Sequence, residues 1–234
     1  MIAFCRFALA LMLFGLFPRS AAPEVSYEDV LKSVLKSVFA VTADNCVGQS
    51  RQSTAFVWKS DGNVITAWHA IGGCNAIRVR SQVTGQSWQA HVSKVLPSAD
   101  LALLSLTDAP SFPALQDSDE TLHVGQELHT LGYQMGADSA GDRDIHLRFG
   151  GPKLRNLVDN NSEAFREIQQ SGTPNLDIDI LYIDSLVPGL SGAPIFDSSG
   201  NVVGVADGGL EGGRRRNRLG VAPKIFSVTS AVDR

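Results

Sequence analysis

Gly189-Leu190-Ser191-Gly192-Ala193-Pro194 is the stretch from which the rest of this 234-residue chain can be read. Small residues beside one serine, with a proline closing the run, let the backbone turn sharply and push the hydroxyl outward. Such a turn suits a nucleophile. It also aims the N–H groups of Gly189 and Ser191 at one point, where they would stabilise an oxyanion. A lone serine hydroxyl is a poor nucleophile at neutral pH, so the chain must supply a base and a group to orient it. Candidates stand in Thr66-Ala67-Trp68-His69-Ala70 and in Ser98-Ala99-Asp100-Leu101-Ala102-Leu103-Leu104. Each has a plainer reading on its own: Ser191 as a turn serine, His69 as a packed strand-end histidine, Asp100 as a strand-entry cap. Pro194-Ile195-Phe196 and a later glycine turn place Ser191 before a strand. An α/β-hydrolase elbow instead needs a helix there, and a glycine where Ala193 stands.

The order His69, Asp100, Ser191 and the context of each residue resemble the trypsin-like peptidases of the bacterial HtrA (Deg) kind. Members carry a strand ending in Thr-Ala-x-His, an Asp-Leu-Ala-Leu-Leu stretch, and Gly-Asn-Ser-Gly-Gly-Pro at the nucleophile. The match runs from about Ser26 to Ser230, with Leu190 and Ala193 as departures. The resemblance implies an all-β, chymotrypsin-like fold of two packed antiparallel β-barrels with short N-terminal and C-terminal helices. It implies a serine endopeptidase with Ser191 as nucleophile, His69 as base and Asp100 orienting the imidazole. Gly189 and Ser191 N–H groups would form the oxyanion hole, protein or peptide would be the substrate, and no cofactor is implied. Leu190 favours a flipped peptide that would close this hole, which leaves open a latent enzyme or an inactive binding protein on the same scaffold. An esterase would use the same residues.

The resemblance also places a substrate pocket at Ser185 and at Val205, Ala206 and Asp207. With no acid at position 185, strong selection for Lys or Arg is not expected, and small or medium apolar side chains fit better. Asp207 is either a pocket acid or a second carboxylate near Asp100. HtrA enzymes usually append PDZ domains; only a short stretch follows Leu219-Gly220-Val221-Ala222-Pro223, so the expectation is a form without one.

Arg6, the apolar run Phe7 to Phe17, Pro18 and Ser20-Ala21-Ala22 read as an export signal over residues 1–22, cut after Ala22. An uncleaved anchor is the alternative. Residues 23–234 then form the peptidase domain, and no other segment approaches the length of a membrane span. Cleavage removes Arg6 and Arg19 and no acid, taking the net charge from -4 to -6. That balance excludes general nucleic-acid affinity, which needs a basic footprint. Cys46 and Cys74 are left in an oxidising compartment, and chymotrypsin-like enzymes often staple this region, so a bridge is expected, with two free thiols as the alternative. His69, His91, His123, His129 and His146 form no His-x-x-x-His pair, and no metal is expected. Oligomeric state is open.

Along the chain, Tyr27 to Lys36 has helical amphipathic spacing. Strands are expected from Val38 to Thr42, Thr54 to Lys59, Val64 to Ala67, Ala76 to Ser81, Ser87 to Leu96 and Leu101 to Leu106. Thr107 to Glu120, with two prolines and four acids, reads as the connector between halves. Strands resume at Gln126 to Gly132, Asp144 to Phe149, Leu176 to Asp184, Asn201 to Ala206 and Arg218 to Ala222. Gly150 to Pro174 reads as a surface insertion with a helix from Ser162 to Gln170, and Arg214-Arg215-Arg216 as a solvated hairpin tip.

Overall fold

Ser26 starts the first element by accepting a hydrogen bond from the Asp29 N–H at 3.2 Å. The structure, a computed structural model, describes residues 25–60, 62, 64–133, 142–151, 179–183, 187–211 and 218–223. Helix α1 (Tyr27–Leu35) buries Val30 and Val34, four residues apart on one face, in a core shared with Phe56, Leu101, Phe196 and Val202. That core draws on both halves of the molecule, so the helix straps them together.

The first half contains β1 (Val38–Cys46), β2 (Gln49–Val57), β3 (Val64–Ala67), the helical turn α2 (Trp68–Ile71), β4 (Ala76–Ser81), β5 (Ser87–Leu96) and β6 (Leu101–Leu106). The strands close into a barrel in the order β1-β2-β3-β6-β5-β4. Alternation sets the faces: Ile77, Val79 and Ser81 of β4 are buried, whereas Arg78 and Arg80 between them are exposed. Phe112 packs edge-on against Phe39 and Trp88, with ring centroids 4.8 and 5.1 Å apart. A Cys46–Cys74 disulfide ties the end of β1 to the segment after α2. It closes a separation of 28 residues, and replacing both cysteines by alanine should lower the unfolding free energy in urea by about 3 to 4 kcal/mol.

The second half contains β7 (Glu127–Tyr133), β8 (Asp142–Gly151), β9 (Asp179–Ile183), β10 (Pro194–Phe196), β11 (Val202–Val205), β12 (Gly208–Glu211) and β13 (Arg218–Pro223). These form a seven-stranded sheet in the order β11-β10-β7-β8-β9-β13-β12. Among the described residues no ladder joins its two edges. Its edges are nonetheless neighbours, because only Ala206 and Asp207 lie between β11 at one edge and β12 at the other. Three extended residue steps span at most about 11 Å, so the sheet curls round until its edges nearly meet. Asp207 sits at that seam.

The connector is held along both halves. Trp58 pairs with Leu115, and Asp117 with Val202, as single parallel bridges. Trp58 Nε1 donates to Asp117 Oδ1 at 2.5 Å, and Ser118 Oγ donates to the buried Asp197 at 2.6 Å. Asp197 in turn accepts from the N–H groups of Ser199 and Asn201, which fixes the turn between β10 and β11. The leader, the 162–170 helix, the basic hairpin tip and the C-terminal helix lie outside the described residues. Among those described, no helix is long and apolar enough to cross a membrane.

Candidate active site

His69 lies in α2, two residues past the end of β3, where the chain leaves the barrel wall. Arg51 of β2 donates to the His69 carbonyl at 2.8 Å and to that of Gly72 at 3.4 Å, holding the short turn from the neighbouring strand. Asp100 sits at the head of β6, whose Leu101 pairs with Ala67 of β3. The register therefore sets Asp100 beside α2. The Trp68 N–H donates to the Asp100 carbonyl at 2.7 Å, and the His69 N–H to Asp100 Oδ1 at 3.1 Å. Asp100 has φ 51° and ψ 39°, a left-handed conformation that Asp tolerates better than most residues. Its other oxygen, Oδ2, is 2.5 Å from His69 Nδ1.

Ser191 comes from the second half, on the loop before β10. Its Oγ lies 3.1 Å from His69 Nε2. Thr54 of β2 fastens this loop to the first barrel twice: its N–H donates to the Ser191 carbonyl at 2.9 Å and its hydroxyl donates to the Gly189 carbonyl at 2.8 Å, while the same hydroxyl accepts from the N–H of Tyr133 in β7 at 3.0 Å. Within the loop, the N–H groups of Leu190, Gly192 and Ala193 go to the carbonyls of Val187, Ala206 and Leu190. Those of Gly189 and Ser191 donate to no backbone carbonyl among the described residues. Leu190 points away from the site: it is fully buried among Leu128, Leu147, Ile195 and Val203. Gly132 of β7 makes room for it, since a Cβ there would come within 2.7 Å of the Leu190 side chain.

Among the pocket residues, Val205 and Ala206 are both completely buried, Val205 in the core under α1 and Ala206 in that of the second half. Ser185 lies outside the described residues. Asp207 lies beside the imidazole, with Oδ1 3.4 Å from His69 Nδ1. The hydrogen bond to Asp100, and after it that to Asp207, raises the His69 imidazole to about 9 against the opposing effect of burial. Burial pushes Asp100 upward, but the bond and charge of His69 outweigh it and hold the carboxyl below its ordinary value. Asp207 is raised, first by burial and then by the nearby Asp100 charge, despite its bond to His69.

A second polar group lies on the far face of β7 and β8. His129 and His146 are cross-strand partners, and Glu127 is two residues along β7, so three donor atoms fall within 4.8 Å of one another. Spacing along the sequence does not show this cluster; strand register does. Its members already bond to protein groups: His146 Nδ1 to Glu127 at 2.7 Å, and His129 Nδ1 to the Tyr27 hydroxyl of α1 at 2.7 Å.

A hydroxyl, an imidazole and a carboxylate in hydrogen-bonded sequence across two β halves are the parts of an acyl-transfer hydrolase with a serine nucleophile. The trypsin-like peptidase domain model matches residues 53–205, and the chain belongs to that family. It is 27% identical over 172 residues to the chloroplastic protease Do-like 1 of Arabidopsis thaliana, covering 71% of this chain and 35% of that protein. It is 30% identical over 162 residues to a probable periplasmic DegP-like serine endoprotease of Marinomonas sp. strain MWYL1, covering 67% of this chain and 29% of that protein. The chain thus spans about a third of these relatives. In fold it is similar to the active form of the Rv3671c protease from M. tuberculosis, with TM-score 0.67 and 21% identity over 98% of this chain and 92% of the other. It is also similar to a serine endoprotease from Yersinia pestis, with TM-score 0.68 and 17% identity over 90% of this chain and 66% of the other.

Proposed function

We propose that this protein is an exported serine endopeptidase, with residues 1–22 as its export signal and 23–234 as its peptidase domain. The observation that carries the reading is the relay from Ser191 Oγ to His69 Nε2 at 3.1 Å and from His69 Nδ1 to Asp100 at 2.5 Å. Ser191 attacks a peptide carbonyl while His69 takes the hydroxyl proton, and Asp100 keeps the proton of the neutral imidazole on Nδ1. The Gly189 and Ser191 N–H groups receive the oxyanion, an interaction worth about 3 kcal/mol per donor in the barrier. His69 gives the proton to the leaving amine, and water then hydrolyses the acyl-enzyme. Export is supported by the leader and by the periplasmic DegP-like relatives; the disulfide suits an oxidising compartment. The substrates are proteins or peptides.

The state of the base sets the pH dependence. A base must be neutral to accept a proton, and an imidazole at about 9 is mostly charged at neutral pH. Activity should therefore climb as pH rises through about 9, which the pH dependence of kcat/KM checks.

The test compares residues 23–234 with the Ser191→Ala variant on an unfolded protein, alongside labelling by a fluorophosphonate at neutral and alkaline pH. Cleavage and labelling by the first, with neither from the second, is the expected result. A folded, disulfide-bonded chain that is labelled at no pH would leave a binding protein on a peptidase scaffold.

A further inference from the structure

Asp207 is fixed relative to Ser191 by backbone. Gly192 N–H donates to the Ala206 carbonyl at 2.6 Å, and Ala206 N–H to the Ala193 carbonyl at 2.8 Å, so the residue before Asp207 is laddered to the loop that carries the serine. The Asp207 carbonyl is itself 3.4 Å from Ser191 Oγ. Its side chain is only 16% exposed at the seam of the curled sheet, with Oδ1 3.4 Å from the same His69 Nδ1 that Asp100 holds at 2.5 Å. Two carboxylates on different halves therefore face one ring nitrogen. We propose that Asp207 is a second positioning carboxylate for the His69 imidazole, which sets with Asp100 the pH at which the base becomes neutral. The proposal rests on the serine-peptidase reading of Ser191, His69 and Asp100.

The physical case starts from charge. A nearby anion favours the imidazolium over the neutral ring, and two favour it more. The groups facing His69 among the described residues are Asp100 from the head of β6, Asp207 from between β11 and β12, Ser191 from the loop before β10, and Arg51 from β2. Arg51 is the one cation among them, and its bond is to the His69 carbonyl. Three titrating groups this close release protons as a set, so removing one carboxylate shifts the whole profile. Asp207 Oδ1 also offers the Nδ1–H a second acceptor 3.4 Å away, beside the Asp100 oxygen at 2.5 Å.

The measurements are the pH profile of kcat/KM for the wild type, Asp207→Asn and Asp207→Glu, and the NMR titration of the His69 ring in Ser191→Ala with and without Asp207→Asn. Asp207→Asn should move the rising limb and the imidazole midpoint to lower pH by about 1 unit, the low end of the shift a close opposite charge produces. On the acidic limb that is about a tenfold gain in rate. Asp207→Glu, which keeps the charge, should return both toward wild type. Asp207→Ser serves as the charge-removing variant if the amide does not fold. A limb and a midpoint that do not move would overturn the proposal, as would a change confined to KM, which marks a substrate-pocket residue. The titration needs no turnover, so it judges Asp207 even if no fluorophosphonate labelling occurs and the peptidase reading fails.

Discussion

Asp100→Asn should lower kcat by on the order of 10³-fold to 10⁴-fold with KM little changed. The direction follows from the second bond that Asp100 makes. Its Oδ1 accepts from the His69 backbone N–H at 3.1 Å, and an asparagine would keep its carbonyl oxygen there because the amide nitrogen cannot accept. The NH₂ group then faces Nδ1 and stabilises the tautomer whose proton is on Nε2. That proton points at Ser191 Oγ, so the ring can no longer take the serine's. Asp207 is 3.4 Å from Nδ1 and offers the other tautomer a weaker partner, so the double variant with Asp207→Asn should lose more than the single one. Steady-state rates on an unfolded protein, with circular dichroism to confirm folding, check both statements. A folded Asp100→Asn variant that keeps wild-type kcat would remove Asp100 from the relay.

The first barrel was legible wherever its strands alternate or form short apolar runs between turn residues. Ala76 to Ser81, Ser87 to Leu96 and Leu101 to Leu106 read from the sequence with the bounds they have in the fold. The start of β2 did not, because Gln49-Ser50-Arg51-Gln52 is polar on both faces; it becomes strand by pairing with β1, whose own end the disulfide anchors. Gly208 and Gly209 carry too little side chain to read as β12, which exists through its pairing with β13. The three residues of the relay were visible as motifs, each beside a strand end. What holds them was not. Thr54 is an unremarkable threonine in sequence, and only the β2 register turns its hydroxyl toward the Gly189 carbonyl. Leu190 stood out as a threat to the oxyanion hole because its burial over Gly132 depends on a contact between residues far apart in the chain.

Gly192→Ala should cost about 2 to 5 kcal/mol of stability and lower the cleavage rate by on the order of 10²-fold or more, and the two effects have separate causes. The residue has φ +86°, a conformation that costs an alanine about 1 to 2 kcal/mol. Space is the larger obstacle. A Cβ on Gly192 would run into the Thr54 carbonyl oxygen and meet Thr66 Oγ1 at 2.5 Å. Neither neighbour is a loose side-chain end: Thr66 donates its hydroxyl to that same Thr54 carbonyl at 2.7 Å, and both belong to the closed barrel wall. The barrel will not yield by that much, so the loop must retreat, at the usual overpacking cost of about 1 to 3 kcal/mol. Retreat breaks the Thr54 bonds to Ser191 and Gly189 and the Gly192 bond to Ala206, which together set Ser191 Oγ 3.1 Å from His69. A displacement of about 1 Å is enough to cost on the order of 10²-fold in rate. Ser191→Ala separates the two effects, since it removes the hydroxyl and leaves the turn intact. It should unfold at nearly the wild-type urea midpoint, whereas Gly192→Ala should unfold well below it. A Gly192→Ala protein with wild-type stability and fluorophosphonate labelling would show that the loop does not depend on its close approach to Thr54.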